Sequence, residues 1–244
     1  MIATLLTESS VPTLTHVIPS LGRKSAAVVT SLGEEEFVMR LGGNLDVYDA
    51  RKFTLQRHIA IPEVDVAYGL AVCAHYRCVY VSAYFTNSVH TAELSGSSAM
   101  KKWSVASDPE GLSVNKAHNV IVTCFEAKKL QEYTTDGSLV REINLQQAGL
   151  TCPYHAVELS SGDYVVSQST SPGGVIVVGV DGKEVCRYQQ SQRSAVGQMK
   201  NPRSLAVTKN GEILVADARN NRILSINSSL SSAQVLALPG DRRS

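Results

Sequence analysis

The chain has 244 residues, 23 Lys+Arg against 22 Asp+Glu, and a formal net charge of +1, so no global charge steers it toward nucleic acid or an anionic membrane. With 43% hydrophobic residues and a mean hydropathy of −0.03, the composition suits a soluble globular chain that one all-β domain can absorb. No apolar run reaches the roughly 20 residues of a membrane span, and Met1 to Leu6 lack the basic and long apolar segments of a signal peptide.

Residues 1–20 stand apart from the rest of the chain, with 14–18 (Leu14-Thr15-His16-Val17-Ile18) readable as one strand. From residue 21 on, one pattern recurs five times. A small apolar strand leads to a polar turn, a β-branched strand, a second polar turn and a third strand. The first unit is the loosest, with strands predicted at 26–29, 37–39, 45–48 and 55–59, and with Glu34-Glu35-Glu36 in its first hairpin. In the second, strands are predicted at 69–72, 79–82, 89–94 and 100–105. The third reads 111–114, 120–123, 130–133 and 139–143, its last two strands joined by Asp136-Gly137, a pair that tolerates the positive φ of a tight hairpin. Asp181-Gly182 holds the same place in the fourth unit, whose inner strands cover 156–158 and 164–166. The fifth has 205–207, 213–217, a third strand from Ile223 and a last strand at 235–238.

The register can be measured twice. Second strands begin at Phe37, Val79, Val120, Tyr164 and Ile213, spaced 42, 41, 44 and 49. Third strands begin near Leu45, Val89, Leu130, Val175 and Ile223, spaced 44, 41, 45 and 48. A period of this length in an all-β chain is a propeller blade of four antiparallel strands. The blades are bounded at about 21–61, 62–105, 106–147, 148–196 and 197–240, with 21–244 as the propeller domain. Five blades are visible. They form either a closed five-bladed ring or, the preferred reading, part of a six-bladed one. The segment 1–20 is the candidate closing strand, since an open ring leaves an unpaired edge.

The loops before each inner strand and between the second and third strands are expected to gather on one face. That ring collects Arg40, Tyr68, Tyr84, Phe85, Glu110, Glu126, Lys128, Tyr154, His155, Lys200, Arg203 and Arg219. Of these, Arg40, Tyr68, Tyr84, Phe85, Lys128, Tyr154, His155, Lys200, Arg203 and Arg219 are assigned as a partner-binding face. Tyr84-Phe85 puts adjacent aromatics in a loop that has no need of them for a core. Lys200, Arg203 and Arg219 gather positive charge on the fifth unit. Asp217, Asn220 and Asn221 have a structural reading. The carboxylate accepts N–H groups of the following turn, and the asparagines allow left-handed backbone.

Chemistry finds little support. None of His16, His58, His75, His90, His118 and His155 has a recognisable nucleophile beside it, and no G-x-S-x-G stretch occurs. Cys73, His75 and Cys78 are too few ligands for a zinc site. No catalytic residue, metal or cofactor is assigned. The odd count of cysteines (Cys73, Cys78, Cys124, Cys152, Cys186) without a secretory leader predicts reduced thiols in the cytoplasm.

The fifth unit resembles the NHL repeat found in the propellers of TRIM-NHL proteins. The resemblance rests on Leu205-Ala206-Val207, Gly211-Glu212-Ile213-Leu214-Val215-Ala216-Asp217 and Asn220-Asn221-Arg222-Ile223, with Arg222 where the repeat's name has His. Asn87-Ser88-Val89 and Lys128-Lys129-Leu130 hold the same place in the second and third units, while the first and fourth have diverged. The resemblance implies a recognition domain, binding a protein partner ahead of single-stranded RNA. Related six-bladed propellers also include metal-dependent hydrolases and lyases. Here Glu110 and His155 are the residues at inner-strand approaches that could ligate. Neither a membrane nor a small-molecule substrate is expected.

Overall fold

A computed structural model describes residues 29–32, 35–41, 44–61, 64, 68–94, 100–170, 173–188 and 196–236. The predicted strand at 14–18 lies outside them. The chain divides into two compact units, Met1–Ser104 with Ala237–Ser244, and Val105–Leu236.

The first unit holds two four-stranded antiparallel sheets. One is β1 (Val29–Leu32), β2 (Glu36–Leu41), β3 (Asn44–Asp49) and β4 (Leu55–Ala60), hydrogen-bonded in chain order. The other is β5 (Leu70–Cys73), β6 (Cys78–Ala83), β7 (Ser88–Glu93) and β8 (Lys101–Ser104). Middle strands are buried on both faces, as in β6, whereas the outermost strand β4 alternates exposed and part-buried. This contrast is why alternation was legible outside and blurred inside. Val38, Leu45, Val47, Val79 and Val81 interlock between the two sheets.

The second unit holds three more sheets. They are β9 (Pro109–Val114), β10 (Val120–Cys124), β11 (Lys129–Tyr133) and β12 (Leu139–Asn144); then β13 (Pro153–Glu158), β14 (Tyr164–Gln168), β15 (Gly174–Val178) and β16 (Glu184–Arg187); then β17 (Pro202–Val207), β18 (Ile213–Asp217), β19 (Arg222–Ile226) and β20 (Ala233–Val235). The inner strands β9, β13 and β17 pack side by side. One apolar cluster joins the third and fourth sheets around Ile121, Leu130, Tyr164 and Val166, and another joins the fourth and fifth around Val165, Val177, Ile213 and Leu224. Among the described residues the fold is all-β, five propeller blades of four antiparallel strands each.

Two expected strands shift. The inner strand of the first blade continues to Leu32, past the expected end at 29, with Leu32 buried and paired with Glu36 across the hairpin, while 26–28 lie outside the described residues. The last strand of the fifth blade starts at Ala233 rather than 235 and among the described residues ends at Val235, with Ile226 paired with Ala233 and Leu224 with Val235, while 237–238 lie outside those residues. The hairpin glycines Gly137 and Gly182 take the expected positive φ, 89° and 80°. All five cysteines are free, with Cys73, Cys78 and Cys124 buried. Among the described residues no helix is long and apolar enough to cross a membrane.

Candidate functional site

Three consecutive inner strands open on a proline: Pro109, Pro153 and Pro202. Their spacings, 44 and 49, repeat those of the second strands. A strand's first residue can dispense with its N–H, so proline sets φ there without breaking a ladder. The next position is then equivalent in each blade, and it carries Glu110, Tyr154 and Arg203. Tyr68 precedes β5 at the corresponding place in the second blade.

The lead-in loops are latched to the second hairpins. Phe125 N–H donates to the Asp108 carbonyl at 3.0 Å, Ser169 N–H to Cys152 at 2.9 Å and Ala218 N–H to Asn201 at 3.2 Å. In every case the donor lies 17 residues after the acceptor (108 to 125, 152 to 169, 201 to 218). Neighbouring blades are tied as well: Gly173 N–H donates to Met199 O at 3.0 Å and Asn201 N–H to Thr170 O at 3.1 Å. In the second unit these loops therefore share one end of the blades.

His155 staples the three inner strands. Leu205 N–H donates to its Nδ1 at 3.0 Å, so Nδ1 is the acceptor and the proton sits on Nε2, which donates to the Leu112 carbonyl at 2.9 Å. Burial holds its pKa below the ordinary histidine value, partly opposed by the Leu112 carbonyl. The ring lies against Gly111. A Cβ on Gly111 would stand 2.5 Å from Tyr154 O and 2.6 Å from the His155 ring, so only glycine allows β9 this close to β13. Ser167, buried on β14, donates to the Arg203 carbonyl at 2.5 Å and receives His155 N–H at 3.2 Å.

Above this pinned backbone, the Arg203 guanidinium lies over the Tyr154 ring, 5.1 Å from its centroid. Burial pushes the Glu110 carboxyl up to about 7, against the pull of the Arg203 charge and with a further push from Asp108.

The fifth blade's polar marks form a separate network. Asp217 is fully buried. Its Oδ1 accepts Lys200 N–H at 2.7 Å, and its Oδ2 accepts Asn220 Nδ2 at 2.7 Å and Arg222 Nε at 2.8 Å. Arg222 Nη2 reaches the Gln198 carbonyl at 3.1 Å, and Nη1 the Val196 carbonyl. The carboxylate thus ties the lead-in loop to the hairpin, rather than accepting N–H groups of the following turn as expected. Asn221 takes the left-handed conformation, φ 49°. Asn87 and Lys128 take it at the same place, φ 47° and 51°, which explains the alignment of these three turns.

The predicted face residues fall into several groups. Tyr154 and Arg203 are in contact, with His155 beneath them. Lys200 and Arg219 are exposed and adjacent, Arg219 N–H donating to Lys200 O at 3.0 Å. Lys128 is half-buried at its turn. In the first unit, Tyr68, Tyr84 and Phe85 form a chain of edge-to-face rings, with centroids 5.1 and 5.4 Å apart and Phe85 75% exposed on the 3-10 turn Tyr84–Thr86. Arg40 is corrected. It is 6% exposed, drawn into β2 where its Nη2 donates to the Val64 carbonyl at 3.2 Å, so it is no surface contact. Sequence reading left Glu110 out of the assigned face and missed Gly111 and Ser167. The recurring prolines at 109, 153 and 202 were the available signal for the first.

These blades place the chain among the β-propellers. Residues 199–224, from the latched loop into β19, match the NHL repeat, so this is a propeller carrying that repeat. No curated protein matches the chain in sequence. Among solved structures it is similar to a streptogramin B lyase, with 13% identity and a TM-score of 0.68 over 91% of this chain and 72% of that one. It also resembles a Bacteroides caccae protein of unknown function, with 14% identity and a TM-score of 0.67 over 88% and 82%. A third likeness is to the virginiamycin B lyase of Staphylococcus aureus, with 12% identity and a TM-score of 0.64 over 87% and 70%. At these identities the likeness is one of fold.

Proposed function

We propose that this propeller is a recognition domain that binds a protein partner through the loop-bearing ends of its blades and catalyses nothing itself. The observation that carries this is a division of labour. Two of the polar groups suited to chemistry, His155 and Asp217, spend their hydrogen bonds on the fold, with both imidazole nitrogens on backbone partners. Phe85, Arg203, Lys200 and Arg219 are exposed, with Tyr154 half-buried beneath Arg203, and aromatic and cationic side chains of this kind anchor protein interfaces. Two relatives in fold are lyases, and a base in this chain would have to be drawn from elsewhere than His155.

The test is affinity purification from the source cell with wild type, Phe85→Ala and Arg203→Glu, read by quantitative mass spectrometry. A protein enriched by wild type and depleted about tenfold by at least one variant, both variants melting like wild type, is the expected result. Enrichment identical across all three proteins overturns the reading.

A further inference from the structure

We propose that the loop end of the fourth and fifth blades is a docking site for an acidic peptide segment, with Arg203 on Tyr154 as its anchor and Lys200 and Arg219 as flanking contacts. This rests on the recognition reading above and adds the chemistry of the partner.

Charge complementarity is the first argument. Lys200, Arg203 and Arg219 are all exposed, and among the described residues none has a carboxylate within ion-pair distance. The carboxylate of that blade end, Asp217, is buried and already saturated by Lys200 N–H, Asn220 and Arg222. The patch is thus a set of exposed cations around a neutralised Asp217, with Glu110 of the third blade within the electrostatic reach of Arg203.

Preorganisation is the second. Arg203 sits on an inner strand whose carbonyl is held by Ser167 and whose neighbour Leu205 is held by His155. Tyr154 lies beneath the guanidinium, its ring centroid 5.1 Å away. A guanidinium's planar fork matches a carboxylate's two oxygens, which the single ammonium of a lysine cannot do.

The same geometry disfavours nucleic acid. The ring face of Tyr154 that a base would stack on is covered by Arg203. On the third blade, Asp108, Glu110 and Glu126 stand at the same end and would repel a continuous phosphate backbone. A short acidic stretch confined to the fourth and fifth blades meets less of that repulsion than a phosphate backbone running on across the third.

The experiment is fluorescence anisotropy with three labelled probes: a Glu/Ser decapeptide, its Gln/Ser counterpart and a ten-nucleotide oligo(U). The Glu peptide should bind wild type about tenfold more tightly than the Gln peptide, and Arg203→Ala should remove that margin. Arg203→Lys should restore it in part, and Lys200→Ser or Arg219→Ser should each cost about threefold. Equal affinity for both peptides, full binding by Arg203→Ala, or binding of oligo(U) alone overturns the proposal. If no acidic peptide binds while the purified partner still depends on Arg203, the acidic class falls and the recognition reading survives. If partner enrichment is also indifferent to Arg203→Glu and Phe85→Ala, both fall.

Discussion

Glu110→Gln should stabilise the protein, and only above about pH 4.5, where the unfolded carboxyl begins to ionise. The fold raises the Glu110 pKa from 4.5 to about 7, so the folded state prefers the neutral carboxyl. Below pH 4.5 both states hold the proton and nothing is lost. Between about 4.5 and about 7 the unfolded chain releases its proton first, so stability falls as pH rises, and above that the cost is complete. Two and a half pH units correspond to about 3 kcal/mol, which solvent reaching the part-exposed carboxyl trims to roughly 2 kcal/mol. Glutamine keeps the volume and carries no charge. Urea unfolding should therefore find wild type and variant alike at about pH 4 and the variant ahead by roughly 2 kcal/mol at about pH 8.5, some 4–8 °C in Tm for a chain of this size. His155 shifts in the opposite sense but is present in both proteins, so it cancels from the difference. A gap between the two proteins that does not change with pH would refute the reasoning.

Gly111→Ala should cost about 2 kcal/mol or more by urea midpoint, because its Cβ meets the Tyr154 carbonyl, which is backbone and cannot turn aside. Asp217→Ala should cost about 3 kcal/mol by the same measurement, since it leaves Arg222, Asn220 and the Lys200 N–H facing an emptied buried position. His155→Ala should cost about 2–4 kcal/mol, through two backbone groups left without their partner, Leu205 N–H and Leu112 C=O.

The blades were legible because their second strands, such as Val79-Tyr80-Val81 and Ile213-Leu214-Val215, are buried on both sides and cannot be anything but apolar. Outer strands such as β20 carry little of that constraint, and the fifth blade's last strand was misplaced by two residues at its start. Tyr154 and Arg203 could be assigned to one end because the repeat fixes their position, yet their contact depends on how closely β13 and β17 approach. Arg40 misled because a charged side chain near a turn reads as solvated, and the Val64 carbonyl that draws it inward lies 24 residues away. The role of His155 was beyond sequence reading for the same reason. Its two partners are 43 and 50 residues distant, and only packing of three blades makes them neighbours.

The 17-residue latches and the histidine staple differ in the length of chain they close, and this separates them in time. A loop of that size closes quickly and at small entropic cost, whereas the staple must await the arrival of ribbons more than 40 residues apart. Removing the staple should accordingly leave the refolding rate nearly unchanged and accelerate unfolding, so the imidazole sets how long the native state lasts rather than how soon it is reached.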